Sequence, residues 1–367
     1  MIQDIPIANR AFNTSTSVIT KQPNIAYFIL VHRFPEQFKR LFKAIYHPEN
    51  HYLIHIDLKA DQHVIQKVEV FLEAYPNAYV MESENVVWGG YSMVQSELNG
   101  MKHLLSKNIK WDFFINLSGQ DFPLKSQKLI RDFLKKNRNK NFIKVANQAI
   151  ERPDTMNRLE NYFQETSNGF AGKPFKRALM KDVTFYIGGQ WMILTRSCCE
   201  FICSSSEVRK FENFYRNTLI ADESFFQTVL KNTSFNETIV NDDKRAIIWV
   251  PDGDIKLRPK TLLETDLAFL LDGKNLFARK FDEDIDALVL DILESTLSSN
   301  QTIYNNKDHE LIDNPLATIG SKPKLIDRQT KIDLLQTSIT LKKNNSHDYH
   351  KKLERNKGND EKAIYCA

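Results

Sequence analysis

The chain has 367 residues, of which 42% are hydrophobic, 26% charged and 11% aromatic. This composition is typical of a soluble globular protein and excludes a disordered or fibrous one. Fifty basic and 46 acidic residues give a net charge of +4, which is too balanced to indicate nucleic acid, so we expect no nucleic-acid partner. The length fits one large or two modest domains, since a domain takes roughly 100–200 residues.

The longest apolar run, Ile25–Val31, is far shorter than the roughly 20 residues that cross a bilayer. No signal-peptide pattern opens the sequence, so we expect no membrane insertion. Cys198, Cys199 and Cys203 lie close together and Cys366 stands apart, which is not a disulfide framework. Cys199 and Cys203 could reach one metal from a helix, but further ligands at zinc spacing do not accompany them. We expect small apolar roles for these cysteines and a reducing compartment.

The first half of the chain alternates strand and helix patterns, which predicts an α/β fold with a mostly parallel central sheet flanked by helices. Residues 1–23 are polar and are interpreted as an arm that precedes a domain spanning 24–295. Apolar runs and helical spacing predict the elements that follow. They are strand Ile25–Val31, helix Gln37–Tyr46, strand His51–Asp57, helix Val64–Tyr75, strand Ala78–Met81, helix Ser92–Leu105 and strand Trp111–Leu117.

The second half opens with a polar stretch, Glu151–Lys181, which is predicted to be an excursion that covers the sheet. The residues from 296 to 367 form a polar, lysine-rich tail with one amphipathic segment, Ile332–Leu341. Between these regions we predict a strand or hairpin in Val183–Leu194, helices Arg196–Ser204 and Glu207–Asn217, strand Arg245–Trp249, helix Glu264–Leu271 with a capping box of Thr261 and Glu264, and helix Asp284–Leu293.

Several polar and aromatic residues fall at or near the ends of the predicted strands. His32, Asp57, Trp88 and Asp121 are the examples. Ligands of open α/β sheets gather outside the carboxyl ends of the strands. The pattern therefore predicts a ligand site along this edge of the sheet.

The stretch Ile220–Phe226 places Glu223 in the first turn of a predicted helix, with Asp222 as its cap. Carboxylates at a helix start often do no more than complement the helix dipole. The alternative is that Glu223 lies at the mouth of a site and deprotonates a hydroxyl group.

Six short motifs together resemble the core-2/I-branching family of glycosyltransferases, which includes the peptide O-xylosyltransferases. The resemblance covers roughly residues 24–295. The motifs occur in the family's order at Val31–Gln37, His55–Lys59, Val87–Ser92, Asn116–Leu124, Ala221–Phe226 and Leu276–Asp282.

The resemblance implies a GT-A-like nucleotide-sugar transferase fold, inversion at the anomeric carbon and catalysis without a metal. It implies a UDP-sugar donor, for which we expect UDP-N-acetylglucosamine, with UDP-xylose as the alternative. Glu223 matches the family's general base, and Lys280 matches the lysine that binds the diphosphate. Arg245 is our match for the diphosphate arginine, with Arg258 and Arg279 as alternatives.

The resemblance also suggests which residues surround the substrates. Asp57 is expected to contact the nucleoside, and His32 either lines the same pocket or is a satisfied histidine under the loop. Near the donor sugar we expect Trp88, Gly89, Gly188, Gly189 and Trp191, and as acceptor-binding candidates we name Asp121, Glu151 and Arg158.

No metal cofactor is expected. Many GT-A enzymes carry an Asp-x-Asp motif after the fourth strand, but Ser118–Asp121 supplies one acid there. Asp252–Asp254, Asp282–Asp284 and Asp284–Asp286 fit the pattern, yet they fall in a loop or at a helix start, where solvated acids are common. Lysine and arginine would then stabilise the departing diphosphate.

Animal members of the family carry a membrane anchor and several disulfides, and neither is evident here. We therefore expect a bacterial-type, cytoplasmic enzyme that modifies a glycan or lipid-linked glycan. The lysine-rich tail suggests peripheral contact with the inner face of the membrane. Two alternatives remain open at this point: a carbohydrate-binding protein on the same fold, and a metal-dependent retaining enzyme.

Overall fold

The structure is a computed structural model that describes residues 21–252 and 257–298. All of these residues belong to one compact unit, Met1–Lys307. Three predicted features lie wholly or partly outside the described residues. They are the arm up to residue 20, Asp254 of the acidic pattern Asp252–Asp254, and the tail from residue 299 onward, which includes Ile332–Leu341.

The helices are α1 (Pro35–Ile45), α2 (Gln62–Leu72), α3 (Tyr91–Ser106), α4 (Gln127–Lys136), α5 (Gln148–Glu151), α6 (Asn157–Glu160), α7 (Arg196–Ser204), α8 (Ser206–Tyr215), α9 (Phe225–Lys231), α10 (Leu267–Asp272) and α11, which covers described residues 287–298. The strands are β1 (Ile25–Val31), β2 (His51–Ile56), β3 (Ala78–Val80), β4 (Phe113–Ser118), β5 (Phe122–Pro123), β6 (Asn141–Ile143), β7 (Ala146–Asn147), β8 (Asn161–Thr166), β9 (Gly169–Lys176), β10 (Tyr186–Ile187), β11 (Met192–Thr195), β12 (Ile239–Val240), β13 (Arg245–Ile247), β14 (Trp249–Pro251), β15 (Leu257–Pro259) and β16 (Phe277–Arg279).

A seven-stranded sheet in the order β12-β6-β11-β4-β1-β2-β3 forms the centre of the fold. Strand β1 pairs in parallel with both β2 and β4, β2 pairs in parallel with β3, and β12 with β6. Strand β11 is antiparallel to its neighbours β4 and β6. The prediction of an α/β fold with a mostly parallel sheet flanked by helices is therefore confirmed.

Strands β1 and β4 are covered on both faces, which explains their continuous apolar runs. Tyr27 of β1 belongs to the core on the α1 side, together with Phe42. The next residue, Phe28, faces the other core, together with Leu98 of α3. Charged side chains have no place along such strands, so they collect where the strands end.

The direction in which the chain leaves the sheet changes between β1 and β4. From β1 the chain builds β2 and β3 on one side, whereas β4 lies on the other side of β1. Such a switch point leaves a crevice outside the carboxyl ends of the two strands, where ligands of α/β proteins bind. His32 and Arg33 follow β1 here, and the loop Gly119–Asp121 follows β4.

A small three-stranded sheet, in the order β13-β16-β5, flanks this crevice. Arg245 opens β13 and is paired with Phe277 of β16. Arg279 ends β16, and Asp121 immediately precedes β5. The sheet therefore brings residues that are distant in sequence to the switch point.

Three local predictions are wrong. Asp222 does not cap a helix, because Ala221–Glu223 forms a 3₁₀ turn and α9 begins only at Phe225. The capping box of Thr261 and Glu264 is replaced by Asp266, which accepts a hydrogen bond from the Leu263 backbone N–H at 3.0 Å. The last helix covers residues 287–298 rather than Asp284–Leu293.

The glycine at position 100 lets α3 approach the sheet. A Cβ at Gly100 would lie 2.7 Å from the Phe28 ring. Gly100→Ala should therefore lower the free energy of unfolding by about 1–3 kcal/mol through overpacking. At an exposed helix position the same change would raise it by about 1 kcal/mol.

Urea denaturation of Gly100→Ala, Phe28→Leu and the double variant measures this contact. The two changes should couple, since leucine makes room for the added methyl group. Strictly additive losses of stability would show that the ring does not limit the helix approach.

Candidate active site

A cluster of positively charged side chains lies at the switch point. Arg279 Nη1 is 3.0 Å from Asp121 Oδ1, and its guanidinium group stacks on the Trp191 ring at 4.1 Å. Arg33 Nη2 donates to Gln120 Oε1 at 3.1 Å. The loop that follows β4 thus holds one arginine from the segment after β1 and one from β16.

Lys280 completes this cation cluster. It is half-buried, and it forms no salt bridge with a described residue. Burial lowers its pKa, and the charges of Arg33, Arg279 and Arg258 lower it further. Cations that repel one another in this way favour the binding of an anion.

Two buried charged residues, Asp121 and Arg245, lie next to this cation cluster. Asp121 is fully buried, and burial raises its pKa while Arg279 and Arg245 oppose the rise. Arg245 is 6% exposed and donates to the backbone carbonyls of Asn116 at 2.9 Å and Asp243 at 3.0 Å. Burial therefore makes Asp121 unsuited to the acceptor contact expected for it, and Arg245 less accessible to a diphosphate than Arg279.

His32 and Asp57 lie beside this cluster. The backbone N–H of Asp57 donates to the Val31 carbonyl at 2.9 Å, which places the two strand ends together. The His32 side chain remains solvent-accessible, but the surrounding protein partly desolvates the ring and lowers its pKa to about 4, with Arg33 as the next cause. His32 is therefore neutral near pH 7 and can accept a hydrogen bond.

The loop Gly188–Trp191 runs from the cations to Glu223. At one end the Gly188 backbone N–H donates to the Glu223 carbonyl at 2.7 Å. At the other end Trp191, 5% exposed, carries the stacked Arg279. A Cβ on Gly188 would overlap the backbone carbonyl of Lys144, so glycine is required there.

Glu223 lies in the 3₁₀ turn and contacts Arg158, which the sequence analysis named as an acceptor-binding candidate. Arg158 Nη1 donates to Glu223 Oε2 at 2.8 Å, and the two side chains are 17% and 27% exposed. Glu223 Oε1 has no hydrogen bond to a described residue, so it remains available to a hydroxyl group. Asp222, next to it, is 5% exposed, and burial followed by the charge of Glu223 raises its pKa to about 7.

The loop Trp88–Gly90 borders the turn of Glu223. Gly89 has a φ of 73°, and its carbonyl accepts a hydrogen bond from the Ile220 backbone N–H at 2.6 Å. Trp88 is 55% exposed. Glu165, from the hairpin β8–β9, accepts from the Ser92 backbone N–H at 3.2 Å and so fixes this hairpin over the loop.

Glu151 occupies a different cavity. This cavity measures about 310 Å³ and includes Tyr186 and Lys231 in its lining. Glu151 Oε1 accepts a hydrogen bond from its own helix start, the Asn147 N–H, at 2.8 Å. Its acceptor role stays a prediction.

The sequence reasoning missed two residues. Arg33 lies in the first motif, two residues after the end of β1, so the switch-point argument could have selected it as it selected His32. Glu97 is a fully buried acid on α3. The sequence around it has ordinary helical spacing and does not mark it as a site residue. Only tertiary packing shows that it faces the site.

The cysteines of α7 behave as expected, since Cys198 and Cys199 are fully buried and unpaired. Within residues 21–252 and 257–298, no three His, Cys, Asp or Glu side chains come together as a metal ligand set. A helix long and apolar enough to span a bilayer is likewise missing from those ranges.

Comparison with known proteins identifies the class and the family. The sequence model of the Core-2/I-Branching enzyme family matches residues 25–266. The chain is 30% identical over 315 residues to a xylosyltransferase of Ciona intestinalis, an alignment that covers 82% of this chain and 37% of that protein. It is 32% identical over 288 residues to xylosyltransferase 2 of Homo sapiens, covering 74% of this chain and 33% of that protein.

The crevice at the switch point is the place where α/β enzymes bind their ligands, and the family model covers the strands that form it. The chain belongs to the Core-2/I-Branching enzyme family, and the recognition made from the six motifs is confirmed. It spans about a third of the length of the curated relatives that it matches.

Solved glycosyltransferase structures show more distant similarity. The galactosyltransferase LgtC, in complex with donor and acceptor sugar analogs, has a TM-score of 0.36 and 9% identity, covering 70% of this chain and 86% of that chain. TarS of S. aureus in complex with UDP has a TM-score of 0.28 and 12% identity, covering 52% of this chain and 53% of that chain.

The two glycines of the loop give a matched test of its role. Gly188→Ala should displace the loop and reduce sugar transfer about 100-fold, the cost of a misplacement of about 1 Å. Gly189→Ala should leave activity near that of the wild type, because a Cβ there would meet Asp243 at 3.8 Å, an ordinary contact. Equal activities for the two variants would contradict this placement.

Proposed function

We propose that this chain is an inverting glycosyltransferase that moves a sugar from a UDP-sugar to a hydroxyl group of a glycan or lipid-linked glycan, without a metal. The observation that carries the proposal is the position of Glu223 and the cation cluster at the two ends of one loop. Gly188 and Trp191 are three residues apart, so their Cα atoms are separated by roughly 10 Å at most. A donor sugar above this loop would have a base on one side and positive charge on the other.

That arrangement supports a single displacement. The acceptor oxygen would attack the anomeric carbon from the Glu223 side while Glu223 Oε1 takes its proton. The bond from the anomeric carbon to the diphosphate oxygen would break, and its electron pair would remain on that oxygen. Attack opposite the leaving group inverts the anomeric configuration.

The leaving diphosphate gains negative charge as this bond breaks. Lys280, Arg279 and Arg33 would stabilise it, since arginine and lysine form strong charge-assisted hydrogen bonds to phosphate. Three side-chain cations at one place would supply the positive charge that a metal ion supplies in other enzymes, and this supports a metal-free reaction. Asp57 and His32, at the neighbouring strand ends, would contact the nucleoside.

For the donor sugar, UDP-xylose and UDP-N-acetylglucosamine are the two candidates. The motifs led us to expect the second. The names of the matched relatives, which are xylosyltransferases, favour the first. A panel of UDP-sugars decides between them.

The acceptor would enter on the side of Arg158. Arg158 Nη1 donates a hydrogen bond to Glu223 Oε2, so an acceptor hydroxyl would approach Glu223 Oε1, next to the guanidinium group. Exposed Trp88 offers an aromatic face to a sugar on the same side. The cytoplasmic location, with peripheral contact of the tail with the membrane, belongs to this proposal as well.

Turnover of the UDP-sugar panel in EDTA tests the donor and the metal-free mechanism. One sugar should release UDP, and Glu223→Gln should reduce the rate by about 100- to 10,000-fold, the range of a lost general base. Lys280→Ala should reduce it by about 100-fold or more, since a charge that stabilises the leaving group is lost. Exposed Glu207→Gln and Lys274→Ala are the matched controls and should retain activity.

Other outcomes separate the alternatives. Activity that appears only with added manganese would contradict the metal-free mechanism. Full activity of Glu223→Gln would contradict its role as the base. UDP binding without turnover of any sugar would favour a carbohydrate-binding protein on the same fold.

A further inference from the structure

Glu97 is a buried acid that the proposed reaction does not use. It lies on α3 and is fully buried. Its Oε1 accepts hydrogen bonds from Asn116 Nδ2 at 2.8 Å and Gln190 Nε2 at 3.5 Å. Its Oε2 is buried and has no hydrogen-bond partner, and no cation of the described chain forms a salt bridge with it. A bare carboxylate in this position would be costly.

A second buried acid faces the same region. Helix α3 packs against the turn Ala221–Glu223, and within that turn Asp222 is 5% exposed. Asp222 Oδ1 is also buried without a partner. Two neighbouring buried carboxyl groups cannot both ionise cheaply, so one of them retains a proton.

The partners of Glu97 are the residues that hold the donor loop. Asn116 donates to the Gln190 carbonyl at 3.0 Å as well as to Glu97. Gln190 stands in the middle of the loop Gly188–Trp191, between the end bonded to Glu223 and the end stacked on Arg279. Any movement of Glu97 is therefore transmitted to the loop on which the donor sugar would lie.

We propose that Glu97 is a positioning residue that acts as a neutral acid: with a proton on Oε2 it holds Asn116 and Gln190 beneath the donor loop and limits the Glu97–Asp222 pair to one negative charge beside Glu223. This proposal rests on the proposed role of Glu223 as the base. A second full negative charge behind Glu223 would disturb both the loop and the base.

The charges around Glu97 agree with a retained proton. Burial raises the pKa of Glu97 to about 8, and the charge of Asp222 adds to the rise. From α7, the buried Cys199 thiol also faces it, with a pKa raised well above its ordinary value by burial. Asp222 in turn faces Glu223, whose charge raises the pKa of Asp222, and Arg158, whose charge lowers it.

The stability of the folded protein should depend on pH through Glu97. In the unfolded chain Glu97 loses its proton near its ordinary pKa of 4.5, whereas in the folded protein it keeps the proton up to about pH 8. The folded state binds more protons across this window, so stability decreases as pH rises through it.

The experiment uses Glu97→Gln, which keeps the shape and an N–H donor in place of the protonated oxygen. Its melting temperature should be close to that of the wild type near pH 5 and exceed it by about 3 °C or more near pH 8. The rate of sugar transfer by the wild type should fall several-fold between about pH 7 and 9, whereas Glu97→Gln should keep its rate. Glu69→Gln, an exposed acid on α2 with the same change in charge, should behave as the wild type at every pH.

Three results would overturn the proposal. The first is a melting-temperature difference that is independent of pH. The second is loss of transfer by Glu97→Gln at all pH values, since it would show that the ionised form is needed. The third is an unchanged alkaline fall in its rate, since it would show a neutral acid with no positioning role.

Infrared difference spectra of the wild type cover the case in which Glu97→Gln does not fold. A protonated carboxyl band should disappear as the pH is raised from about 6 to 9 in the wild type and also in Asp222→Asn, which lacks the other buried carboxyl group with a raised pKa. Absence of the band from Asp222→Asn would overturn the proposal. Melting and infrared data need no substrate, so they judge the proton on Glu97 even if Glu223→Gln shows that the proposed function is wrong.

Discussion

The structure depends on the burial of β1 and β4 on both faces. A strand in that position is packed between two layers of helices and offers no solvated side for charge. Charged groups are therefore displaced to the strand ends, where the chain leaves the sheet in opposite directions. His32 and Arg33 on one side and Asp121 on the other arrive at the crevice for this reason.

Asn116 is an instructive polar residue within this packing. It is fully buried in β4, yet its hydrogen-bonding groups are engaged in several directions. Its side chain holds Glu97 and accepts from the Met192 N–H at 2.9 Å, and its backbone carbonyl accepts from Arg245. One residue thus links the support of the cations to the support of the donor loop, which is how a buried amide contributes specificity rather than stability.

The cation cluster is assembled at a cost. Burial lowers the pKa of Arg279 and raises that of Asp121, so the pair does not fully compensate for desolvation of its two charges. Like charges around Lys280 add repulsion. An anion bound between these side chains would relieve both penalties, and this links the electrostatics of the site to its proposed chemistry.

The sequence by itself determined the alternating strands and helices, because apolar periodicity follows directly from burial on one or two faces. Ile25–Val31 and Arg196–Ser204 have the predicted bounds, and the motif residues His32, Glu223 and Lys280 could be selected from their order in the chain. Tertiary structure decided how the arginines are held, since Arg245 donates to two backbone carbonyls whereas Arg279 is paired with Asp121. It also decided that Asp121 is a buried support, that Asp222 caps no helix and that Glu97 faces Asp222. The Asp121–Arg279 pair and the approach of Glu97 to Asp222 join residues more than 100 positions apart, and no local pattern in the sequence encodes such contacts.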